Sequence, residues 1–417
     1  MRIAWFGPAK DDGGVPGMGA LLLEGVLDEG VSVDLYTTDS TDDIAKSLRN
    51  RPNLHLVRTE TRWKWGRWYS RKPYRAFISG TIARTRAYGR LCDLLIEQNA
   101  REPYDCIFQL SQTELFKLGR MTDKLPPIIV YPCVHAAGEL RWHRRESAYA
   151  LQSERAALHY LTRMILKYRS IKQKREVQKP AMLIGMSRRF NELTRQDYGI
   201  DSARQVVLYH PIRTATPDAL PLANRDGVTP IRMLFVARIS VRKGVEFIVE
   251  LSHRLDDLSG RIQLDVIGGH TQWSDYREHL KELNPRTSRY LGSLNHRDVM
   301  AEYEKADILL LPSTYEPGGL VLGEALSRGV CAVVSDEVGS GEPVDGDVCR
   351  KFPAGDMDAF EKQTRKLVED LGIRRADLRE AARQQAIEHF EPKKITRQFC
   401  DLLERVIKRE IAGQGVK

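Results

Sequence analysis

Short apolar runs, each closed by glycine or polar residues and followed by helical periodicity, recur in two series along this chain. Alternation of that kind confines the fold to the α/β class, with parallel strands and crossover helices. The first series opens with a strand over Arg2–Phe6. The turn Gly13-Gly14-Val15-Pro16-Gly17-Met18-Gly19 follows, then a helical pattern with Leu21, Leu22, Val26 and Leu27 on one side, then a strand over Val31–Tyr36. Strand, helix and strand in this order begin a doubly wound sheet. Further strands are predicted over Cys106–Leu110, Ile128–Tyr131, Met182–Met186 and, more weakly, Val206–Leu208. Residues 213–230 are rich in proline and poor in apolar side chains, and read as a linker. The second series then starts: a strand over Arg232–Ala237, a turn Arg238–Gly244, and a helix from about Val245. Strands over Gln263–Ile267, Ile308–Leu311 and Cys331–Ser335 follow, with a helix over Leu320–Ser327 between the last two. Residues 374–411 are helical by period, with a break at Pro392.

A chain of 417 residues exceeds one ordinary core. The expected division is 1–212, a linker 213–230, and 231–392, with a terminal helix at about 393–417 packing back on the first unit. Two Rossmann-like domains then face a cleft, and ligands of such sheets bind beyond the carboxyl ends of the strands.

Chemistry concentrates in the second half. In Tyr315-Glu316-Pro317-Gly318-Gly319-Leu320-Val321-Leu322-Gly323-Glu324, a strand end passes through a glycine turn into a helix. Glycines let a ligand approach the backbone, and free amides at a helix start suit a phosphate. Glu324 sits in an apolar run and needs a polar partner, for which a ribose diol is suited. A second stretch, Phe235-Val236-Ala237-Arg238-Ile239-Ser240-Val241-Arg242-Lys243-Gly244, delivers Arg238 and Lys243 at a strand–helix turn, where two cations can hold a diphosphate and stabilise its departure. Gly268-Gly269 closes a buried strand, and Val338-Gly339-Ser340-Gly341-Glu342 follows another.

Together these stretches resemble the retaining family-4 glycosyltransferases (glycosyl transferases group 1), which have the GT-B architecture. The resemblance is specific over about 232–345 and loose before it. It implies that Glu316 lies by the donor sugar and that Glu324 binds the nucleotide ribose. It also implies that Gly318, Gly319 and Leu320 hold phosphate and sugar hydroxyls, that Arg238 and Lys243 hold the diphosphate, and that Gly268 faces the nucleotide. In the first half it implies that Gly13 and Gly14 face the donor phosphates, and that His135, after the strand Ile128–Tyr131, contacts the donor sugar. Two positions depart from the family pattern: Gly318 replaces an aromatic and Ala237 a glycine. The element at Gly339–Glu342 resembles a glycine-rich family motif, with no role assigned to it here. The reaction implied is retaining transfer of a sugar from a nucleoside diphosphate sugar to a hydroxyl acceptor, as in polysaccharide, lipopolysaccharide or glycolipid synthesis. No Asp-x-Asp pair follows a strand, and Asp11-Asp12 and Asp42-Asp43 lie in polar loops, so no metal or other cofactor is expected.

Rival readings are a non-hydrolysing sugar-nucleotide epimerase of the same architecture and a nicotinamide-binding oxidoreductase. The first lacks clearly placed acid–base carboxylates in the first half. The second is disfavoured by Gly14-x-x-Gly17-x-Gly19, which is in the wrong order for a dinucleotide fingerprint.

The net charge of +9 is local. Residues 62–75, with aromatics Trp63, Trp65, Trp68, Tyr69 and Tyr74, carry +6; residues 141–179 carry +8; the remainder is −5. Leu158, Leu161, Ile165 and Tyr168 form an apolar stripe at helical spacing in the second segment, which reads either as a helix packed on the sheet or as an open face. Such local basicity points to an acidic or lipid-linked acceptor, or an anionic membrane surface, rather than to nucleic acid. The start of the chain does not read as a signal peptide, no apolar run is long enough to span a bilayer, and six scattered cysteines form no Cys-x-x-Cys pair. The expectation is a cytoplasmic protein, peripheral at the inner face of the membrane if the basic segments bind it.

Overall fold

The computed structural model describes residues 1–11, 13–61, 63–64, 66–111, 113–153, 155–214, 230–270 and 275–414. Most of the expected linker therefore lies outside the described residues, as do Asp12, Arg62 and Trp65.

The first domain holds seven strands: β1 (Arg2–Phe6), β2 (Ser32–Thr37), β3 (Leu54–Arg58), β4 (Cys106–Leu110), β5 (Ile128–Tyr131), β6 (Met182–Gly185) and β7 (Gln205–Val207). Its helices are α1 (Val15–Asp28), α2 (Pro73–Arg101), α3 (Ala136–Arg145), α4 (Ser147–Ser153), α5 (Ala156–Glu176) and α6 (Arg188–Tyr198). The second domain holds β8 (Ile231–Val236), β9 (Ile262–Ile267), β10 (Ser288–Gly292), β11 (Ile308–Leu311), β12 (Cys331–Ser335) and β13 (Cys349–Phe352). Its helices are α7 (Val245–Arg254), α8 (His296–Glu304), α9 (Leu320–Leu326) and α10 (Met357–Phe390), and α11 (Pro392–Gln414) ends the described chain.

Both sheets are parallel and doubly wound, in the orders β3-β2-β1-β4-β5-β6-β7 and β10-β9-β8-β11-β12-β13. Each therefore changes its direction of growth beside its first strand, between β1 and β4 and between β8 and β11. Loops at such a switch point diverge and leave a crevice at the carboxyl ends. The Gly13–Gly14 turn leaves β1, the Arg238–Lys243 turn leaves β8, and the Glu316 loop leaves β11, so the fold brings the three chemistry-bearing turns to one cleft.

Apolar side chains fill both faces of the first sheet. Leu22, Leu23 and Val26 of α1 cover one face and Leu91 and Leu95 of α2 the other. α11 joins the α1 side. Phe399 packs edge-on to Trp5 and Phe108 at ring separations of 6.0 and 4.7 Å, and Ile395, Leu402 and Leu403 are buried with it. The chain makes this return at Pro392, which lacks the N–H needed to continue α10.

Several elements differ from expectation. Within the basic segment 141–179 the helical stretch is broken, because α4 ends at Ser153 and α5 begins at Ala156. The buried residues of α5 are His159, Thr162 and Gln173, while Tyr160, Leu161, Met164, Tyr168 and Ile171 are exposed, Met164 at 64% and Tyr168 at 62%. Of the stripe read from the sequence, Leu161 and Tyr168 are exposed while Leu158 and Ile165 are half-buried, so it divides between the two open readings, and hydrogen-bonding side chains hold α5 to its neighbours. In the other basic segment, Trp63 Nε1 donates to Ser79 Oγ at 2.8 Å and Trp68 is 71% exposed. The side chain of Tyr74 is outside the described residues.

Candidate active site between the two domains

The crevice has a volume of about 690 Å³ and is lined by Gly14, His135, Arg238, Lys243, Glu316, Gly318, Gly319, Leu320 and Glu324. A second cavity of about 450 Å³ shares Gly14, Leu320 and Glu324 with it and adds Gly13. Ten of the eleven site residues singled out in the sequence therefore line one or both. The exception is Gly268, where β9 ends: a Cβ there would lie 1.7 Å from the Ala237 carbonyl oxygen, and its own carbonyl accepts from Tyr290 Oη at 2.6 Å. Glycine at 268 answers the close packing of two strand ends.

Lys243 and Glu316 form a largely buried ion pair at the centre of the cleft. Burial, and behind it the guanidinium groups of Arg242 and Arg238, push the Lys243 ammonium well below the usual lysine range. Arg238 is exposed, and among the described residues it has no ion pair. This side of the cleft thus gathers three cations, of which Lys243 and Arg242 are ion-paired.

The backbone around Glu316 is clamped by the glycine-rich element that follows β12. Glu316 O accepts from Gly339 N at 2.9 Å, Gly318 O from Ser340 N at 2.8 Å, and Gly319 O from Ser340 Oγ at 2.8 Å. Gly319 has φ +86°, and a Cβ would meet Ser340 Oγ at 2.5 Å, so only glycine fits where the loop turns into α9. The Gly339–Glu342 motif therefore shapes the Glu316 loop.

Glu324, on α9, faces both cavities. Burial raises its pKa, against the pull of His296 and Arg328. His296 Nδ1 lies 3.9 Å from Glu324 Oε1, and the same ring lies against Gly13 of the first domain. His296 was not found in the sequence, since a lone histidine at a helix start carries no signal there.

His135 reaches the cleft wall, but its side chain is fully buried. Nδ1 is 2.8 Å from Tyr315 Oη and Nε2 is 2.9 Å from Asp197 Oδ2. Among the described residues no group of three or more His, Cys, Asp or Glu could hold a metal ion. Asp43 instead closes a capping box with Ser40.

Residues 223–385 match the family model described as glycosyl transferases group 1. A glycogen synthase of Mycobacterium tuberculosis is 30% identical over 171 residues, which is 40% of this chain and 41% of that protein. A 2-deoxystreptamine N-acetyl-D-glucosaminyltransferase of Niallia circulans is 27% identical over 165 residues, 38% of this chain and 41% of its own. The matched stretch thus spans about two fifths of either relative. Among solved structures, sucrose-phosphate synthase from Thermosynechococcus elongatus superimposes with a TM-score of 0.68 at 18% identity, covering 98% of this chain and 99% of that one. HepE of Anabaena, solved in complex with UDP, has a TM-score of 0.61 at 15% identity, covering 97% and 100%. The chain has the GT-B fold, and the part that bears Arg238, Lys243, Glu316 and Glu324 is the part that matches the glycosyl transferases group 1.

Proposed function

We propose that this protein is a glycosyltransferase that moves a sugar from a nucleoside diphosphate sugar to a hydroxyl acceptor, with retention at the anomeric carbon and without a metal ion. The observation that carries the reading is the cation cluster of Arg238, Arg242 and Lys243 beside Glu316, within the segment that matches the group 1 family. Arg238 and Lys243 bind the diphosphate and stabilise the charge that develops as the bond from the anomeric carbon to the β-phosphate oxygen breaks. The acceptor oxygen bonds to that carbon on the face the phosphate leaves, and its proton passes to the departing phosphate oxygen. Glu324 accepts from the ribose hydroxyls. Glu316 stands at the reacting sugar. HepE, of the same fold, has been solved with both UDP and UDP-glucose, which supports a donor of this class.

The acceptor is read as acidic or lipid-linked, met at an anionic membrane surface. No helix among the described residues is long and apolar enough to cross a membrane. α5 instead turns exposed apolar side chains outward among exposed cations such as Lys167, Lys174 and Arg175.

The test incubates the purified protein with a panel of nucleoside diphosphate sugars and with NAD, following thermal shift and nucleotide release. The anomeric configuration of the product is then read by NMR. Stabilisation by a nucleotide sugar and a product of retained configuration are expected. Stabilisation by NAD alone would replace the reading with an oxidoreductase, epimerised donor without transfer would replace it with an epimerase, and an inverted product would remove retention.

A further inference from the structure

Tyr315 stands one residue before Glu316, yet its hydroxyl is anchored in the other domain. Its Oη is 2.8 Å from His135 Nδ1, and the far side of that ring is 2.9 Å from Asp197 Oδ2. Asp197 is held in turn by Arg141, whose NH2 is 2.5 Å from Oδ1. The phenol is buried and closely packed. A Cβ on Gly138 would lie 2.4 Å from Tyr315 Oη, and Trp142 stacks on the Tyr315 ring at 6.5 Å. Phe190 and Tyr198 stand edge-on to the His135 ring at 6.0 and 5.3 Å.

Burial and charge shape the two ends of this chain. Burial raises the Tyr315 pKa well above the ordinary phenol value, so the hydroxyl keeps its proton. His135 Nδ1 faces that hydroxyl, and Nε2 faces the Asp197 carboxylate. Burial works against charge on Asp197, but His135 and Arg141 outweigh it and its pKa lies below the usual aspartate value. Tyr315 Oη and Asp197 Oδ2 thus stand against the two ring nitrogens of His135.

We propose that Tyr315 is a positioning residue for the transfer reaction: its hydroxyl, bonded across the domain interface to His135, which Asp197 orients, fixes where the following Glu316 enters the cleft. His135 then acts on the reaction through Tyr315, not by touching the sugar. The loop is held at both ends, by Tyr315 from the first domain and by Gly339 and Ser340 from behind. Loss of the hydroxyl releases the first of these holds and leaves the cations that bind the diphosphate in place.

This inference rests on the glycosyltransferase reading for its kinetic test, so a second readout is independent of turnover. Tyr315→Phe keeps the ring and removes the bond. It is expected to lower kcat about 10-fold with donor KM within about twofold, as for an interaction that matters in the transition state and not in the ground state. His135→Gln should have a similar effect, and the double variant should fall no further than the weaker single one. Hydrogen exchange of the amides over Ala136–Arg145 should accelerate equally in both single variants, with Asp197→Asn as a milder third. Circular dichroism checks that each variant folds. If Tyr315→Phe keeps wild-type kcat and exchange, the proposal is overturned. Multiplying effects in the double variant, or a donor KM that rises in His135→Gln alone, would also overturn it by making His135 a sugar contact. Should the wild-type protein transfer no sugar, the exchange result still decides whether the bond exists, and only the functional reading falls.

Discussion

The carboxylate of Glu342, in the second domain, caps the helix that begins at Arg188 in the first. Oε2 accepts from the Arg188 amide at 2.8 Å and Oε1 from the Arg189 amide at 2.8 Å. Tyr209 Oη donates to the same carboxylate at 3.2 Å, and Arg189 pairs with Glu337 at 2.8 Å. A negative charge at a helix start satisfies amides that have no partner within the helix. Since Gly339 and Ser340 hold the Glu316 loop, one short turn serves both the domain interface and the cleft.

Glu342→Ala should therefore cost about 1–2 kcal/mol of interdomain stability, the usual worth of a lost cap with a charged acceptor. Scanning calorimetry is expected to show a lower and broader transition as the domains uncouple. An unchanged profile would mean that the apolar contacts alone hold the domains together.

Donor binding and chemistry should separate between side chains of one cleft. Glu324→Ala should weaken nucleotide affinity, measured by calorimetry, by about 2–3 kcal/mol, the worth of a hydrogen-bonding charged group. Glu316→Ala should lower kcat more than it lowers nucleotide affinity. Arg238→Ala, at an exposed turn, should cut turnover about 10²-fold and leave Tm unchanged. Equal loss of nucleotide binding in the two glutamate variants would remove the division of roles.

The pH dependence of stability should carry the mark of Glu246, in the first turn of α7. Its Oε2 is buried without a hydrogen bond. Burial, with the charge of Glu146 adding to it, pushes its pKa from 4.5 up to about 8. The folded state therefore holds this proton more tightly than the unfolded chain. The resulting stability is full below about pH 4.5 and is lost as pH rises through about 8. Glu246→Gln should abolish that loss, a difference of a few kcal/mol between pH 5 and pH 8 when the two proteins are unfolded in parallel. Parallel curves for wild type and variant would show that the carboxyl ionises freely.

What was legible in the sequence tracks burial. The central strands β1, β4, β5, β8, β9, β11 and β12 are covered on both faces and read as apolar runs. The strands missed were β3, β10 and β13, and β7 was only weakly predicted; all four are sheet edges. Leu-His-Leu-Val-Arg in β3 and Cys-Arg-Lys-Phe in β13 mix apolar and charged residues because an edge keeps part of its surface in water. The cleft residues were legible where glycine, cation and carboxylate occur together in a short stretch, as around Lys243 and Glu316. Contacts made across the interface were not. Tyr315–His135, His296–Gly13 and Glu342–Arg188 each join residues more than a hundred positions apart, and no local pattern marks such pairs.

The exposed face of the first domain yields the last prediction. On α5, Tyr160, Met164, Tyr168 and Ile171 recur at helical spacing and are all exposed, and Ile78 and Ile82 of α2 are exposed as well. Phe116 stands between the two helices: Lys172 of α5 sits over its ring at 5.7 Å, and the ring stacks on Tyr88 of α2 at 5.0 Å. Arg67, Arg71, Lys72 and Arg75 are exposed at or just before the start of α2. Apolar side chains framed by cations suit an anionic leaflet, where each cation adds about 1 kcal/mol and the apolar groups enter the headgroup boundary. The protein should cosediment with vesicles containing anionic lipid, bind neutral vesicles weakly, and release at raised salt. Replacing Arg67, Arg71, Lys72 and Arg75 with Ser should abolish the salt-sensitive part. Met164→Ser with Tyr168→Ser should weaken binding at every salt concentration, since that contribution is not screened. Soluble-substrate turnover should survive both sets, because none of these side chains lines the cleft. Binding that ignores lipid charge would assign the surface to apolar contact alone, and no binding to either vesicle would return α5 to an ordinary solvated helix with a soluble acceptor.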